Sequence, residues 1–270
     1  MKQGVESAEA TAPGTGTEWL PFELVPGNSA GGLVIVCDHA SNHIPEKYHN
    51  LGLPGTQLAR HIAYDIGVRQ VTLQLARALN APAILSGFSR LLIDPNRAMD
   101  DPTLVMKIAD GAIVPGNVAV DQAEIDARLA AFHAPYHQAI ASEINKAINS
   151  GVPPAIFSVH SFTPHFKDQD RPWHATILWD CDPRLPLPLL RALEGQGDIV
   201  VGENVPYSGK LQGDTMFRHA SQNGLAHALI EIRQDLIGDA ATAAAWADRL
   251  ARLLAPLKLL PGINTIKHYN

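Results

Sequence analysis

The chain has 270 residues, of which 46% are hydrophobic and 18% charged, with a formal net charge of −6. This composition excludes a disordered or fibrous chain, and the negative charge argues against nucleic-acid binding, which needs a basic surface. The two cysteines, Cys37 and Cys181, are too few for a disulfide framework or a cysteine-based zinc site. The sequence shows neither a signal pattern nor an apolar run of the ~20 residues that a membrane helix needs. We therefore expect a cytoplasmic protein with no membrane partner, and the composition leaves an oligomer open.

Apolar runs and amphipathic stretches alternate along most of the chain. Residues 1–18 are poor in apolar side chains, which predicts a disordered tail. In chain order, the patterns then predict a strand at 33–37, one or two helices within 56–79, strands at 83–85 and 91–93, a helix over 121–148 interrupted at Pro135, a strand at 155–160, a strand at 175–180, a short helix at 185–194, strands at 198–202 and 227–233, and a helix over 239–255.

This alternation predicts an α/β fold with a largely parallel or mixed sheet and helices on both of its faces. No internal repeat and no long linker interrupts the pattern, so we expect a single domain over residues 19–270. In such sheets the reactive side chains lie just beyond the carboxyl ends of the strands. Polar residues at the predicted strand ends are therefore the candidates for a functional site.

Two of the predicted strands end in histidine. His39 follows the apolar run 33–37, and His160 follows a second apolar run that begins at Ile156. A neutral imidazole at a strand end is a typical metal ligand, although a histidine that caps the next helix by hydrogen bonding is an equal alternative for His39 alone. Catalytic zinc takes about three protein ligands, and here the third should be an oxygen. Asp65 and Asn42 are the candidates, of which Asp65 carries the charge.

Charged residues also occur in or beside buried strands, where they are costly. The strand at 227–233 carries Glu231 and Arg233 two residues apart and hence on one face. Arg90 and Arg97 bracket the apolar run 91–93, and a guanidinium suits the bidentate binding of a carboxylate. The structural alternative there is an ion pair between Asp94 and Arg97.

Two weaker patterns complete the candidates. A polar loop from Val201 to Gly209 contains Tyr207 and is either a flap over a cleft or a capped turn. His133 and His137 are four residues apart, but because Pro135 lies between them we expect packing rather than metal binding.

Several motifs occur in an order that resembles the N-formylglutamate amidohydrolase family over about Leu33 to Leu236. They are Asp38-His39-Ala40-Ser41-Asn42, the run from Ser89 to Arg97, Val159-His160-Ser161, the run from Asn204 to Gly209, and Glu231-Ile232-Arg233-Gln234-Asp235. That family is in turn similar to the zinc carboxypeptidase and succinylglutamate desuccinylase group. The resemblance implies a three-layer, phosphorylase/hydrolase-like fold around a central mixed sheet.

The resemblance also implies roles for individual residues. His39 and His160 match the two zinc histidines of the wider group, and Glu231 matches its catalytic glutamate. Asn96-Arg97 matches the pair that handles the substrate carboxylate or oxyanion. Position 42 is Asn where the wider group has a Glu ligand, so Asp65 is the expected third ligand and Asn42 the alternative.

The expected reaction is hydrolysis of an N-acyl amino acid, such as N-formylglutamate, by a water activated on a divalent metal, with zinc as the expected ion. Glu231 is the expected general base, Arg90 or Arg97 stabilises the oxyanion, and Asn96, Tyr207 and Arg233 are expected to contact the substrate. The alternatives are a carboxypeptidase, a desuccinylase or another deacylase, and, from a different class, a non-catalytic binding protein on the same scaffold.

Overall fold

The computed structural model describes residues 19–269, so the tail predicted for residues 1–18 lies outside the described residues, as does residue 270. The strands are β1 (Phe22–Val25), β2 (Leu33–Cys37), β3 (Ala83–Ser86), β4 (Ile108–Ala109), β5 (Ala112–Ile113), β6 (Ala155–Phe162), β7 (His165–Phe166), β8 (Gln169–Asp170), β9 (Ala175–Leu178), β10 (Val201–Glu203) and β11 (His227–Arg233). The α-helices are α1 (Gly55–Leu58), α2 (Val68–Leu79), α3 (Pro115–Val118), α4 (Gln122–Arg128), α5 (Ala134–Asn149), α6 (Pro186–Glu194), α7 (Thr215–His219) and α8 (Ala240–Leu257). Short 3₁₀ segments lie at Ser29–Gly31, Glu46–Gly52, Ser221–Asn223 and Gln234–Leu236.

Within the described residues, seven strands form one mixed sheet in the order β1-β3-β2-β6-β11-β9-β10. Strands β3, β2, β6 and β11 are parallel to one another, whereas β1 and β9 pair antiparallel with β3 and β11. The carboxyl ends of β2, β6 and β11 therefore meet at one edge of the sheet, which confirms the predicted mixed α/β sheet.

The sheet is covered on both faces. Alternate residues of β2 belong to different cores, with Ile35 in one and Val36 in the other, so the strand is apolar throughout. Helices α2, α6 and α8 pack on the first face, and α5 contributes Tyr136 and Ile140 to the second. This arrangement confirms the three-layer fold. Within residues 19–269, no helix combines the length and apolar character that crossing a membrane requires.

The strand predicted at 91–93 is wrong, because these residues form a turn. Backbone N–H groups here bond to loops: that of Arg90 donates to the carbonyl of Ala63, and that of Asp94 donates to the carbonyl of Leu104. The three apolar side chains are fully buried in the core instead. A short apolar run indicates burial, and periodicity alone does not decide between a strand and a buried turn.

Two of the predicted helical stretches are interrupted in the structure. The 56–79 pattern is two helices, α1 and α2, joined by turns that hold Asp65 in a loop rather than in a helix. The 121–148 pattern is interrupted by a π-helical turn at Leu129–His133, directly before Pro135 near the start of α5. Proline lacks an N–H and its ring crowds the preceding helical turn, and the wider π-helical turn before it keeps the chain helical on both sides.

Gly67 joins the loop that holds Asp65 to α2, and its φ of +84° is left-handed. A Cβ at this position would lie 2.2 Å from the carbonyl oxygen of Ile237. Gly111, at φ +75°, is a matched control because a Cβ there would meet nothing within 4 Å.

We expect Gly111→Ala to lower the free energy of unfolding by about 1–2 kcal/mol through backbone strain alone. Gly67→Ala carries the same strain plus the steric clash, and should be clearly less stable in urea unfolding. Equal losses for the two variants would contradict the close approach of Gly67 to Ile237.

Candidate active site

Three adjacent strands bring His39, His160 and Glu231 to the same edge of the sheet. His39 lies two residues beyond the end of β2, and His160 is the third-last residue of β6. Glu231 in β11 is paired in register with His160. Residues far apart in the sequence are thus neighbours because the strands that carry them are parallel and hydrogen-bonded.

His39, Asp65 and His160 form a buried cluster whose candidate ligand atoms lie within 4.8 Å of one another. The Oδ2 atom of Asp65 is 3.0 Å from Nδ1 of His160 and 3.4 Å from Nδ1 of His39. The backbone positions this carboxylate, because the N–H of Asp65 donates to the carbonyl of His39 at 2.9 Å and the N–H of Ser161 donates to Oδ2 at 3.2 Å.

A second carboxylate lies against the far nitrogen of each histidine. Nε2 of His39 is 2.7 Å from Oδ1 of Asp94, and Nε2 of His160 is 3.0 Å from Oδ2 of Asp38. Such outer carboxylates orient metal-ligating imidazoles and fix the tautomer that leaves the other nitrogen free for the ion. Both Nδ1 atoms accordingly face Asp65.

The donor set fits a divalent cation. Nδ1 of His39 is buried and has no hydrogen-bond partner among the described residues, which is costly for a polar atom that binds nothing. Of the buried carboxylates Asp38, Asp65 and Asp94, the last two pair with one guanidinium, that of Arg90, and Asp38 has no Arg or Lys partner among the described residues, so negative charge is in excess. Two imidazoles and a carboxylate are a ligand set that suits zinc and related ions. The cluster could hold such an ion.

The pKa directions reflect this negative environment. Burial opposes the charge of Asp38, but the hydrogen bond and charge of His160 outweigh it and lower its pKa to about 2. Burial also opposes a charge on His160, yet its hydrogen bonds to Asp38 and Asp65 raise its pKa well above the usual value. Both shifts show that positive charge is strongly favoured at the centre of the cluster.

Asn42 lies apart from this cluster. Its amide donates to the carbonyl of Leu58 at 2.9 Å, and its side chain is exposed. Of the two oxygen ligands considered from the sequence, the structure brings Asp65 to His39 and His160.

Glu231 lines the same cavity as the three clustered residues. It is 8% exposed, and its Oε2 atom has no hydrogen-bond partner among the described residues. Burial raises the pKa of Glu231 to about 7, although the charge of His160 opposes this shift. A carboxyl group with a pKa near neutrality can both accept and donate a proton during a reaction.

Arg90, Asn96 and Arg97 also line the cavity. Arg90 is engaged by carboxylates, with Nη2 at 2.7 Å from Asp94 Oδ2 and Nη1 at 3.4 Å from Asp65 Oδ1. Arg97 donates only to neutral oxygens among the described residues, those of Thr103 and the Asn96 carbonyl. The ion pair considered between Asp94 and Arg97 is therefore replaced by the pair of Asp94 with Arg90.

Tyr207 and Arg233 were also predicted to contact the substrate, and the structure places only the first of them in the cavity lining. Tyr207 lines the cavity and accepts a hydrogen bond from Arg171 at 3.0 Å. Its loop has the hydrogen bonds of a capped turn, since Oδ1 of Asn204 accepts from the N–H groups of Trp179 and Gly209. Arg233 is not among the described residues that line the cavity, because its guanidinium pairs with Asp235 at 2.8 Å just beyond the end of β11.

Comparison with known proteins is consistent with this geometry. The model of the N-formylglutamate amidohydrolase family matches residues 31–238. The chain belongs to this family. It is accordingly an amide hydrolase.

Two solved structures illustrate the relationship. Gene product Atu2144 from Agrobacterium tumefaciens is 33% identical, with a TM-score of 0.83 over 88% of this chain and 95% of that one. An N-formylglutamate amidohydrolase from Ralstonia eutropha JMP134 is 21% identical, with a TM-score of 0.69 over 89% of this chain and 97% of that one, and shows the shared fold. Among curated proteins, none matches the chain.

In this member of the N-formylglutamate amidohydrolase family, several site residues had no separate signal in the sequence. Asp38 and Asp94 stand within recognised motifs, but their contacts with His160 and His39 span 122 and 55 positions. Thr215 donates to Asp38 at 2.6 Å. Such long-range pairs follow from the strand order, which cannot be read from local patterns in the sequence.

A histidine cluster supports the loop that carries Asn96. Nε2 of His137 contacts the carbonyl of Pro95 at 3.0 Å, and Nδ1 contacts Nε2 of His219 at 2.8 Å. Burial lowers the pKa of His219 to about 4 and that of His133 to about 4, so both are neutral at pH 7. The sequence predicted packing for His133 and His137, and the contacts show that His137 also positions Pro95.

Asp214 lines the cavity and caps α7, with Oδ1 accepting from the N–H of Phe217 at 2.7 Å. Burial raises its pKa to about 7 from 3.8. The folded state then holds this proton more tightly than the unfolded state, so stability is lost as the pH rises from about 4 to about 7.

We expect Asp214→Asn to remove this loss, because the amide keeps the cap but carries no charge. In chelator-treated protein, the melting temperature of the variant relative to the wild type should rise between pH 5 and pH 8. A difference that stays constant over this range would contradict the raised pKa.

Proposed function

We propose that the chain hydrolyses a small N-acyl amino acid, such as N-formylglutamate, with the help of a divalent metal, zinc being the expected ion. The observation that carries this proposal is the arrangement of His39, Asp65 and His160 beside Glu231 in one cavity of about 220 Å³. This volume lies below the roughly 300–1,000 Å³ of sites for drug-sized ligands, so the cavity suits a smaller molecule. Such an ion would polarise the amide carbonyl and lower the pKa of a water towards ~7.

The chain's own residues supply the remaining chemistry. Glu231 accepts a proton from the attacking water at Oε2, which has no other partner among the described residues, and delivers a proton to the leaving amine nitrogen. The water oxygen bonds to the acyl carbon, the C–N bond breaks, and the products are a carboxylic acid and a free amino acid. This role needs a carboxyl group that changes protonation near neutral pH, which burial provides.

The two arginines can bind different negatively charged groups of the reacting substrate. Arg90 is held by Asp94 and Asp65, so its position is fixed and it can stabilise the oxyanion that develops on the acyl carbonyl. Arg97 is free of carboxylate partners among the described residues and can bind the α-carboxylate of the substrate in a bidentate manner. Asn96 and Tyr207 line the same space.

The choice of metal ligands is tested by metal content. We expect His39→Ala, His160→Ala and Asp65→Asn to lose most of the bound metal after purification and dialysis, as measured by elemental analysis. Asn42→Ala is the matched control and should keep the wild-type content, because its side chain faces Leu58. Retention by Asp65→Asn together with loss by Asn42→Ala would reverse the assignment of the third ligand.

The general base is tested by removing its proton affinity. Glu231→Gln should reduce kcat by at least ~10²-fold while metal content stays unchanged. Glu194→Gln, an exposed residue at the end of α6, is the control and should behave as the wild type. Turnover near the wild-type rate in Glu231→Gln would exclude this role.

The substrate class is tested with N-formyl, N-acetyl and N-succinyl derivatives of several amino acids and with a dipeptide. Release of the free amino acid from one acyl series supports the proposal, whereas cleavage of the dipeptide alone indicates a carboxypeptidase. Binding of these compounds without turnover by metal-loaded protein would indicate a non-catalytic binding protein.

A further inference from the structure

The part of the cavity next to Glu231 is apolar. Leu229 lies two residues before Glu231 in β11, so both side chains are on the same face of the sheet. Leu178 of β9 pairs directly with Leu229 in register. Both leucines line the cavity although they are only 5% and 6% exposed. Immediately beside the reactive carboxyl group, the cavity is therefore bounded by two aliphatic side chains.

Aromatic and aliphatic residues continue this surface towards the cavity mouth. Phe162, at the end of β6, is buried and lines the cavity. Phe166 and Leu211 also line it and are 39% and 46% exposed. We call Phe162, Phe166, Leu178, Leu211 and Leu229 together the apolar wall.

Cations are scarce in the same cavity. The described lining residues include two guanidinium groups, those of Arg90 and Arg97, and Arg90 is already paired with Asp94 and Asp65. Of the lining histidines, His39 and His160 are the proposed metal ligands, and burial lowers the pKa of His61, so its imidazole is mainly neutral at pH 7. Arg97 is thus the one described guanidinium that lines the cavity without a carboxylate partner. It can satisfy one carboxylate of a bound molecule, and every N-acyl amino acid has one at its α-carbon.

Arg171 does not provide a second carboxylate site in this cavity. It is 7% exposed, and its guanidinium lies over the rings of Phe166 and Tyr207 at 5.0 and 5.2 Å. Its Nη1 atom donates to the hydroxyls of Tyr207 and Thr163. Arg171 is absent from the described lining, so it packs behind the aromatic rings.

A substrate with a second carboxylate would meet an unfavourable environment here. The side-chain carboxylate of glutamate would lie against the apolar wall, without a free cation and with Asp214 and Glu231 in the same cavity. Burying an unpaired charge is far more costly than burying an aliphatic group of similar size. The same wall gains from contact with an apolar side chain.

We propose that the preferred substrate is an N-acyl amino acid with an apolar side chain, such as leucine, rather than a dicarboxylate such as an N-acyl glutamate. This inference rests on the proposed function and narrows it, because it replaces N-formylglutamate, the example substrate named there, with an N-acyl amino acid that has an apolar side chain. It concerns the part of the substrate that does not react. Arg97 holds the α-carboxylate, the acyl group faces Glu231 and the metal ligands, and the side chain contacts the apolar wall.

The test compares kcat/KM of the metal-loaded enzyme on N-acyl leucine, N-acyl glycine and N-acyl glutamate that carry the same acyl group. We expect N-acyl leucine to exceed N-acyl glutamate by at least about 10-fold. An equal or higher value for N-acyl glutamate overturns this inference and leaves the proposed function intact. If the metal-loaded enzyme hydrolyses none of the acyl series, the proposed function fails and this inference falls with it.

Two variants link the preference to the wall. Leu229→Ala should lower the ratio of kcat/KM for N-acyl leucine to kcat/KM for N-acyl glycine, which has no side chain to contact the wall, by about 10-fold. An equal loss of kcat/KM on both substrates would indicate general damage and contradict the contact between the substrate side chain and Leu229.

Leu211→Arg, at the exposed rim, should raise kcat/KM for N-acyl glutamate relative to that for N-acyl leucine, whereas Leu259→Arg, 75% exposed, is the control without effect. No change in this ratio for Leu211→Arg would contradict the position of the side chain.

Discussion

The site depends on the contact of the Asp65 carboxylate with two imidazoles in a buried space. A single oxygen, Oδ2, lies 3.0 Å from His160 and 3.4 Å from His39. Buried charge at this density is stable only when each group has a fixed partner. Much of the surrounding structure supplies these partners, from the Ser161 N–H to the carboxylates on the far sides of the two rings.

These outer carboxylates connect the site to the core. Asp38 is completely buried and is held by the hydroxyls of Tyr136 in α5 and Thr215 in α7. Asp94 ends a buried turn, pairs with Arg90 and contacts Nε2 of His39. Helices on one face of the sheet therefore hold the carboxylate that orients His160 at its edge, so that stability of the fold and geometry of the site are not independent.

Membership of the N-formylglutamate amidohydrolase family describes the reaction class more closely than the substrate. The reacting groups come from the central strands and the turn around Asp65, whereas the substrate contacts come from the walls of the cavity and from loops such as the one with Tyr207. Walls and loops can change without altering the strand edge. A shared fold therefore leaves room for different amino acid side chains.

The sequence by itself determined the α/β class and most of the strands, and it singled out His39, His160 and Glu231 as candidates, with Asp65 or Asn42 as the third ligand. It could do so because buried strands are apolar runs and because charged residues at their ends are rare. The strand predicted at 91–93 is wrong, since a short apolar run is as compatible with a buried turn as with a strand. Only the tertiary structure decided that Asp94 pairs with Arg90 and that Arg233 turns away to Asp235. It also decided that Leu178 lies opposite Leu229 beside Glu231. These contacts depend on strand order and register, which join distant segments and leave no local pattern in the chain.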